Sequence, residues 1–138
     1  MMHATKKIRV LIADDSPTAL RSICDYLEFA GTFEIVGTAS DGQNAVQLTA
    51  LYKPDLALLD LSMPRVNGLE AVEQIRLASP DVRVIIFSEL NGLSLAEECL
   101  RRGAHSFVPK SLMPEGLLME IQRLFPPGGR RVAVEGDS

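Results

Sequence analysis

Cysteine is scarce, with only Cys24 and Cys99 in the chain and no CxxC spacing. A small secreted scaffold held by disulfides and a thiolate metal site are both excluded by that count. Both cysteines fall in segments with helical spacing, so reduced thiols are expected. Histidine is equally thin. His3 and His105 have no spaced partners, which removes a histidine metal site, and His105 reads as a strand-edge residue. Positive charge is short too: 14 Lys and Arg stand against 18 Asp and Glu, a net charge of −4, and the one basic cluster is Arg130-Arg131. Holding a nucleic-acid backbone calls for many clustered cations, so direct contact with nucleic acid is not expected. No stretch approaches the roughly 20 apolar residues that a membrane span needs. Met1 to Arg9 is polar and basic and has no apolar core of signal-peptide length. Export and membrane insertion are therefore not expected, and the cytoplasm is the default location.

What is present is ordinary for one globular domain: 138 residues, of which 46% are hydrophobic and 23% charged. Five short apolar runs read as strands: Ile8 to Ala13, Phe33 to Ala39, Leu56 to Leu59, Val82 to Phe87 and Ser106 to Val108. Between and after them, apolar residues recur at helical intervals, as in Leu20, Ile23, Cys24, Leu27 and in Leu117, Leu118, Ile121, Leu124. Strand and helix alternate throughout, which predicts an α/β domain with a parallel sheet. The first, third and fourth runs are apolar almost without interruption, as strands covered by helices on both faces should be. Ser16-Pro17 offers a helix cap and a first-turn proline, and Gly31 and Gly103 follow helix ends. The domain is expected to span residues 1–125, with 126–138 a linker-like or disordered tail that begins Pro126-Pro127-Gly128-Gly129. There is no internal repeat.

In open α/β sheets, ligands bind beyond the carboxyl ends of the strands, so the residues there carry the chemistry. In order they are Asp14-Asp15, Asp60, Ser88 and Lys110. Three carboxylates brought to one edge repel one another unless a hard cation and a lysine offset them, and Mg²⁺ suits such oxygen donors. A carboxylate can also act as a nucleophile toward phosphorus, and Asp60, at the end of what should be the central strand, is best placed. The Ser88 hydroxyl and the Lys110 ammonium would then meet the phosphoryl oxygens. Each residue taken singly has a plainer reading: Asp14-Asp15 as helix caps, Asp60 as a strand-ending turn, Ser88 as a loop hydroxyl and Lys110 as a solvated surface charge. Phe107 alone reads as core.

From Ile8 to about Phe125 the chain resembles a bacterial two-component response-regulator receiver domain. The segments that carry the likeness are Val10-Leu11-Ile12-Ala13-Asp14-Asp15-Ser16, Leu58-Leu59-Asp60-Leu61-Ser62-Met63-Pro64 with Asn67-Gly68, and Gly103-Ala104 through Phe107-Val108-Pro109-Lys110. The resemblance implies a flavodoxin-like, doubly wound sheet of five parallel strands in the order 2-1-3-4-5. It also implies a phosphorelay switch: Asp60 as phospho-acceptor, Asp15 and Asp60 as direct Mg²⁺ ligands, Ser62 supplying a backbone carbonyl, and Asp14 holding a metal-bound water. Ser88 would be the switch hydroxyl, Phe107 the switch aromatic and Lys110 the phosphate-binding cation. A sensor histidine kinase or a small phosphodonor would load the site, and a downstream protein or a fused output domain would read it. Two positions depart from the family. Glu89 stands where a small residue is usual, and Ser111 stands where many receivers have proline, a variant that resembles receivers fused to LuxR-type helix-turn-helix domains.

Other functions remain open at this stage. One is a pseudo-receiver that binds partners without phosphorylation, prompted by Glu89. Another is a phosphohydrolase of the haloacid dehalogenase type, although that class has Asp-x-Asp where this chain has adjacent aspartates. A nucleotide-binding flavodoxin-like protein is disfavoured by the acidic first loop. Homodimerisation through the fourth and fifth helical regions is possible, but Leu93, Leu95 and Leu100 can all be assigned to the core.

Overall fold

The computed structural model describes residues 6–126. Strands β1 (Ile8–Ala13), β2 (Phe33–Ala39), β3 (Leu56–Asp60), β4 (Arg83–Ser88) and β5 (Ser106–Pro109) alternate with helices α1 (Pro17–Ala30), α2 (Gly42–Tyr52), α3 (Gly68–Ala78), α4 (Leu93–Arg101) and α5 (Glu115–Leu124). A 3₁₀ turn over Lys110–Leu112 leads into α5. All strand pairs are parallel, and the order is β2-β1-β3-β4-β5. Among the described residues, no helix is long and apolar enough to cross a membrane.

The near-continuous apolar runs are explained by the two cores. Side chains alternate across a strand, so Leu11, Ala13, Ala57, Leu59, Val84 and Ile86 face one side, where they meet Ala45, Ala71, Val72, Ile75 and Cys99. Val10, Ile12, Leu56, Leu58, Ile85 and Phe87 face the other, against Ile23 and Leu27 of α1 and Leu117 and Ile121 of α5. The two cysteines are free and belong to opposite faces of the sheet. Helix starts follow the expected chemistry. Ser16 accepts from the Ala19 N–H at 3.2 Å with Pro17 behind it, and Asn67 and Glu70 form a reciprocal capping box on α3.

Ser88 is the last residue of β4, and Lys110 follows directly on β5 as the first residue of the 3₁₀ turn, so both stand at the carboxyl edge of the sheet. One expectation needs correction. Leu93 and Leu100 are not core: they are 75% and 48% exposed. The inward stripe of α4 runs through Leu95, Ala96 and Cys99, and at 3.6 residues per turn Leu93 and Leu100 lie roughly 100° around the helix from it. The reading of residues 126–138 as a linker-like tail lies, apart from Pro126, outside the described residues.

His105, just before β5, takes part in the sheet ladder with its side chain. Its Nδ1 accepts from the Val84 N–H at 3.0 Å while its own N–H donates to the Val84 carbonyl at 2.7 Å. Burial, then the charges of Arg76 and Arg83, push the imidazole down to about 4. The folded protein thus disfavours the proton that an unfolded histidine accepts near pH 6.5, so stability from this group is present above that value and is lost as pH falls toward 4. After allowance for solvent screening of a half-buried ring, the loss should be about 1 kcal/mol. Urea unfolding of the wild type and of His105→Asn at both ends of this window checks it, and an equal acid loss in both proteins would count against the assignment.

Candidate phosphoryl-transfer site

Strand order decides what can meet. β1 and β3 are neighbours at the point where the winding reverses, and their register pairs Ala13 with Leu59, so the residues that follow, Asp14 and Asp60, emerge side by side at the carboxyl edge. Asp14 is 1% exposed and Asp60 5%, while Asp15 is exposed. One carboxylate oxygen from each lies within 4.8 Å of the others. Lys110 reaches in from beyond β5, with Nζ 3.3 Å from Asp14 Oδ2 and 3.5 Å from Asp60 Oδ2. The same ammonium lies 5.3 Å from the centre of the Phe87 ring, whose π face supports a cation.

The backbone fixes both buried carboxylates from below. Asp14 Oδ1 accepts from the Ser16 N–H at 2.9 Å, and Asp60 Oδ1 accepts from the Ser62 N–H at 3.3 Å. Even so, burial and then the neighbouring Asp14 charge push the Asp60 carboxyl up to about 6, against the pull of Lys110. Burial also works against the charge on Lys110, but Asp60 and Asp14 outweigh it and hold the ammonium above its ordinary range. The site is thus short of positive charge. Its donors are all hard oxygens, three of them carboxylates with Asp15 open to solvent, which is the donor chemistry that Mg²⁺ accepts.

Ser88 lies on the same edge, one residue past the Asp60–Phe87 pair, and is 2% exposed. Its Oγ accepts from the Leu90 N–H at 3.0 Å, which ties the start of the next loop to this hydroxyl. Phe107 is further back in β5, paired with Ile86 and packed against the core under α2, α3 and α4. The structure therefore gathers Asp14, Asp15, Asp60 and Lys110, places Ser88 beside them, and keeps Phe107 in the packing behind. Glu89 is exposed at the end of β4. Beside the carboxylates, a groove of about 510 Å³ is lined by Asp15, Ser62, Met63, Pro64 and Asn67, giving a ligand room to approach.

Sequence reasoning missed a pair that borders this site, Asp41 and Arg65, joined by a salt bridge of 2.8 Å. Asp41 before Gly42 was readable as a helix cap, but nothing in the sequence signals its partner 24 residues away.

Comparison with known proteins agrees with this geometry. The profile of the family described as "Response regulator receiver domain" matches residues 10–122. The nitrate/nitrite response regulator protein NarL of Escherichia coli K12 is 34% identical over 114 residues, which are 83% of this chain and 53% of that protein. A protein-glutamate methylesterase/protein-glutamine glutaminase of Clostridium acetobutylicum is 38% identical over 111 residues, 79% of this chain and 32% of its own length. The chain thus spans between a third and about half of these relatives. Among solved structures, the CheX-CheY-BeF3-Mg²⁺ complex of Borrelia burgdorferi holds a chain that matches with a TM-score of 0.81 and 30% identity, over 87% of this chain and 90% of that one.

Proposed function

The chain belongs to the response regulator receiver domain family, and on that premise we propose that it is a phospho-acceptor signalling switch with Asp60 as the acceptor. The observation that carries this reading is the buried Asp14–Asp60 pair bridged by Lys110, with Asp15 open to solvent alongside. In the transfer, an Asp60 carboxylate oxygen forms a bond to phosphorus, and the bond from phosphorus to the donor, a histidine kinase imidazole or an acyl phosphate, breaks with its electron pair leaving on the donor. Asp15, Asp60 and the Ser62 carbonyl would hold Mg²⁺ directly, with Asp14 holding it through water. When bound, the ion supplies positive charge against the phosphoryl oxygens. Lys110 supplies the protein's own positive charge there, and the Ser62 N–H orients the Asp60 carboxylate. The family is regulatory, and we assign this chain no turnover of its own beyond self-catalysed phosphoryl transfer.

The output follows from the switch residues. Ser88 would donate its hydroxyl to the new phosphoryl group, drawing the Leu90 loop with it, and the packing of Phe107 would adjust beneath α4. Around the fourth helix Leu90, Leu93 and Leu100 are exposed. Exposed apolar side chains of this kind suit a protein partner, a second copy of the chain or an output domain fused beyond residue 125, with 126–138 as the connecting segment. Acetyl phosphate with Mg²⁺ is expected to leave one labile acyl phosphate on the wild type, seen by intact mass, and none on Asp60→Ala. A full signal on the alanine variant would remove Asp60 from the role. No modification of the wild type by acetyl phosphate or by any kinase, with partner binding intact, would replace the switch by a phosphate-independent docking module.

A further inference from the structure

The loop that follows Asp60 is pinned at its ends by backbone bonds: Leu61 N–H to the Phe87 carbonyl at 2.9 Å and Gly68 N–H to the Leu61 carbonyl at 2.8 Å. Its middle takes an unusual path. Arg65 has φ 67, the left-handed region that favours glycine. A non-glycine residue persists there only when its surroundings hold it, and the surroundings are visible. The guanidinium Nε and Nη2 both donate to Asp41 Oδ2, at 3.1 and 2.8 Å. Asp41 is 5% exposed, and its other oxygen accepts from the Asn44 N–H at 2.7 Å to cap α2. That cap, and then Arg65, hold the carboxyl below its usual range. One residue on, the Val66 carbonyl rests directly on Gly42, where an added Cβ would lie 1.7 Å from it.

We propose that Asp41 and Arg65 are positioning residues for the phospho-acceptor loop: anchored on the start of α2, they set Ser62 against Asp60. Neither belongs to the acidic cluster, and they act through the backbone of residues 62–66. This inference rests on the phospho-acceptor reading for its purpose, since Ser62 matters there as the proposed carbonyl ligand and as the N–H donor to Asp60.

Two variants separate the anchor from general stability. Asp41→Asn keeps an oxygen for the Asn44 N–H but loses the charge that Arg65 needs. Arg65→Gly loses the guanidinium yet favours the left-handed backbone, so its Tm should not fall. Each is expected to weaken Mg²⁺ binding, measured by calorimetry without any phosphodonor, by about tenfold, the low end for losing an outer support of a metal ligand. The double variant should lose no more than either single one, because both break the same link, and Arg65→Lys should recover part of the affinity. Amide exchange at Ser62 and Met63 should quicken in step. Unchanged affinity and exchange in both single variants, or additive losses in the double, would overturn the proposal. Wild-type protein that takes up no Mg²⁺ would sink the phospho-acceptor reading instead, and the exchange rates alone would then decide whether the pair positions the loop.

Discussion

Asp60→Asn is expected to make the metal-free protein harder to unfold near neutral pH, by about 1–2 kcal/mol, while removing the proposed acceptor. The folded carboxyl, pushed to about 6 by burial and by Asp14, takes up its proton at a higher pH than the roughly 3.9 of an unfolded aspartate. Between those values the folded state binds more protons than the unfolded one, so stability falls as pH rises through that window. The penalty is complete above it. Asparagine keeps an oxygen for the Ser62 N–H and leaves Lys110 paired to Asp14 at 3.3 Å. Urea midpoints in a chelator should therefore separate the two proteins near pH 7.5 and bring them together near pH 4. Added Mg²⁺ should stabilise the wild type more than the variant, since a ligand that binds only the folded state adds to its stability. A variant that is weaker near pH 7.5 would mean that the Asp60–Lys110 attraction exceeds the repulsion from Asp14.

Gly42→Ala is expected to cost about 3 kcal/mol, the upper end of ordinary overpacking. At an unobstructed helix position the same change stabilises, because alanine has less freedom to lose on folding. Here the new methyl would meet the Val66 carbonyl oxygen at 1.7 Å and its carbon at 2.5 Å, both of them backbone. No rotamer relieves that contact. Either α2 or the Asp60 loop must move, so the loss of stability should come with slower phosphorylation. A variant within about 0.5 kcal/mol of the wild type, the ordinary range for surface changes, would show that the loop can give way at little cost.

The fold was readable because its signals are local: uninterrupted apolar strands, helical spacing between them, and a cap with a first-turn proline at Ser16-Pro17. The site was readable because one rule about strand ends converts those signals into a place, and Asp14, Asp60 and Lys110 each occupy such an end. What escaped depended on rotation and on long-range pairing. The apolar residues of α4 do not reveal which stripe turns inward, so Leu93 and Leu100 looked like core. The left-handed turn at Arg65 had no glycine to announce it, and its carboxylate partner belongs to another loop. Phe107 is ambiguous in the sequence for a different reason. A residue that packs under α4 and one that shifts there during signalling are the same side chain in the same place.

The parallel pairing of β1 with β3 and of β4 with β5 also sets when the charge cluster comes into being. Asp14 and Asp60 become neighbours only after a βαβ crossover has closed across an intervening strand and two helices, and Lys110 arrives with the last strand. During synthesis, a nascent chain that has emerged only to α4 carries the aspartates without their counter-charge. The proposed acceptor site is therefore complete only once the last strand and helix, residues 106–124, have docked on the rest of the sheet.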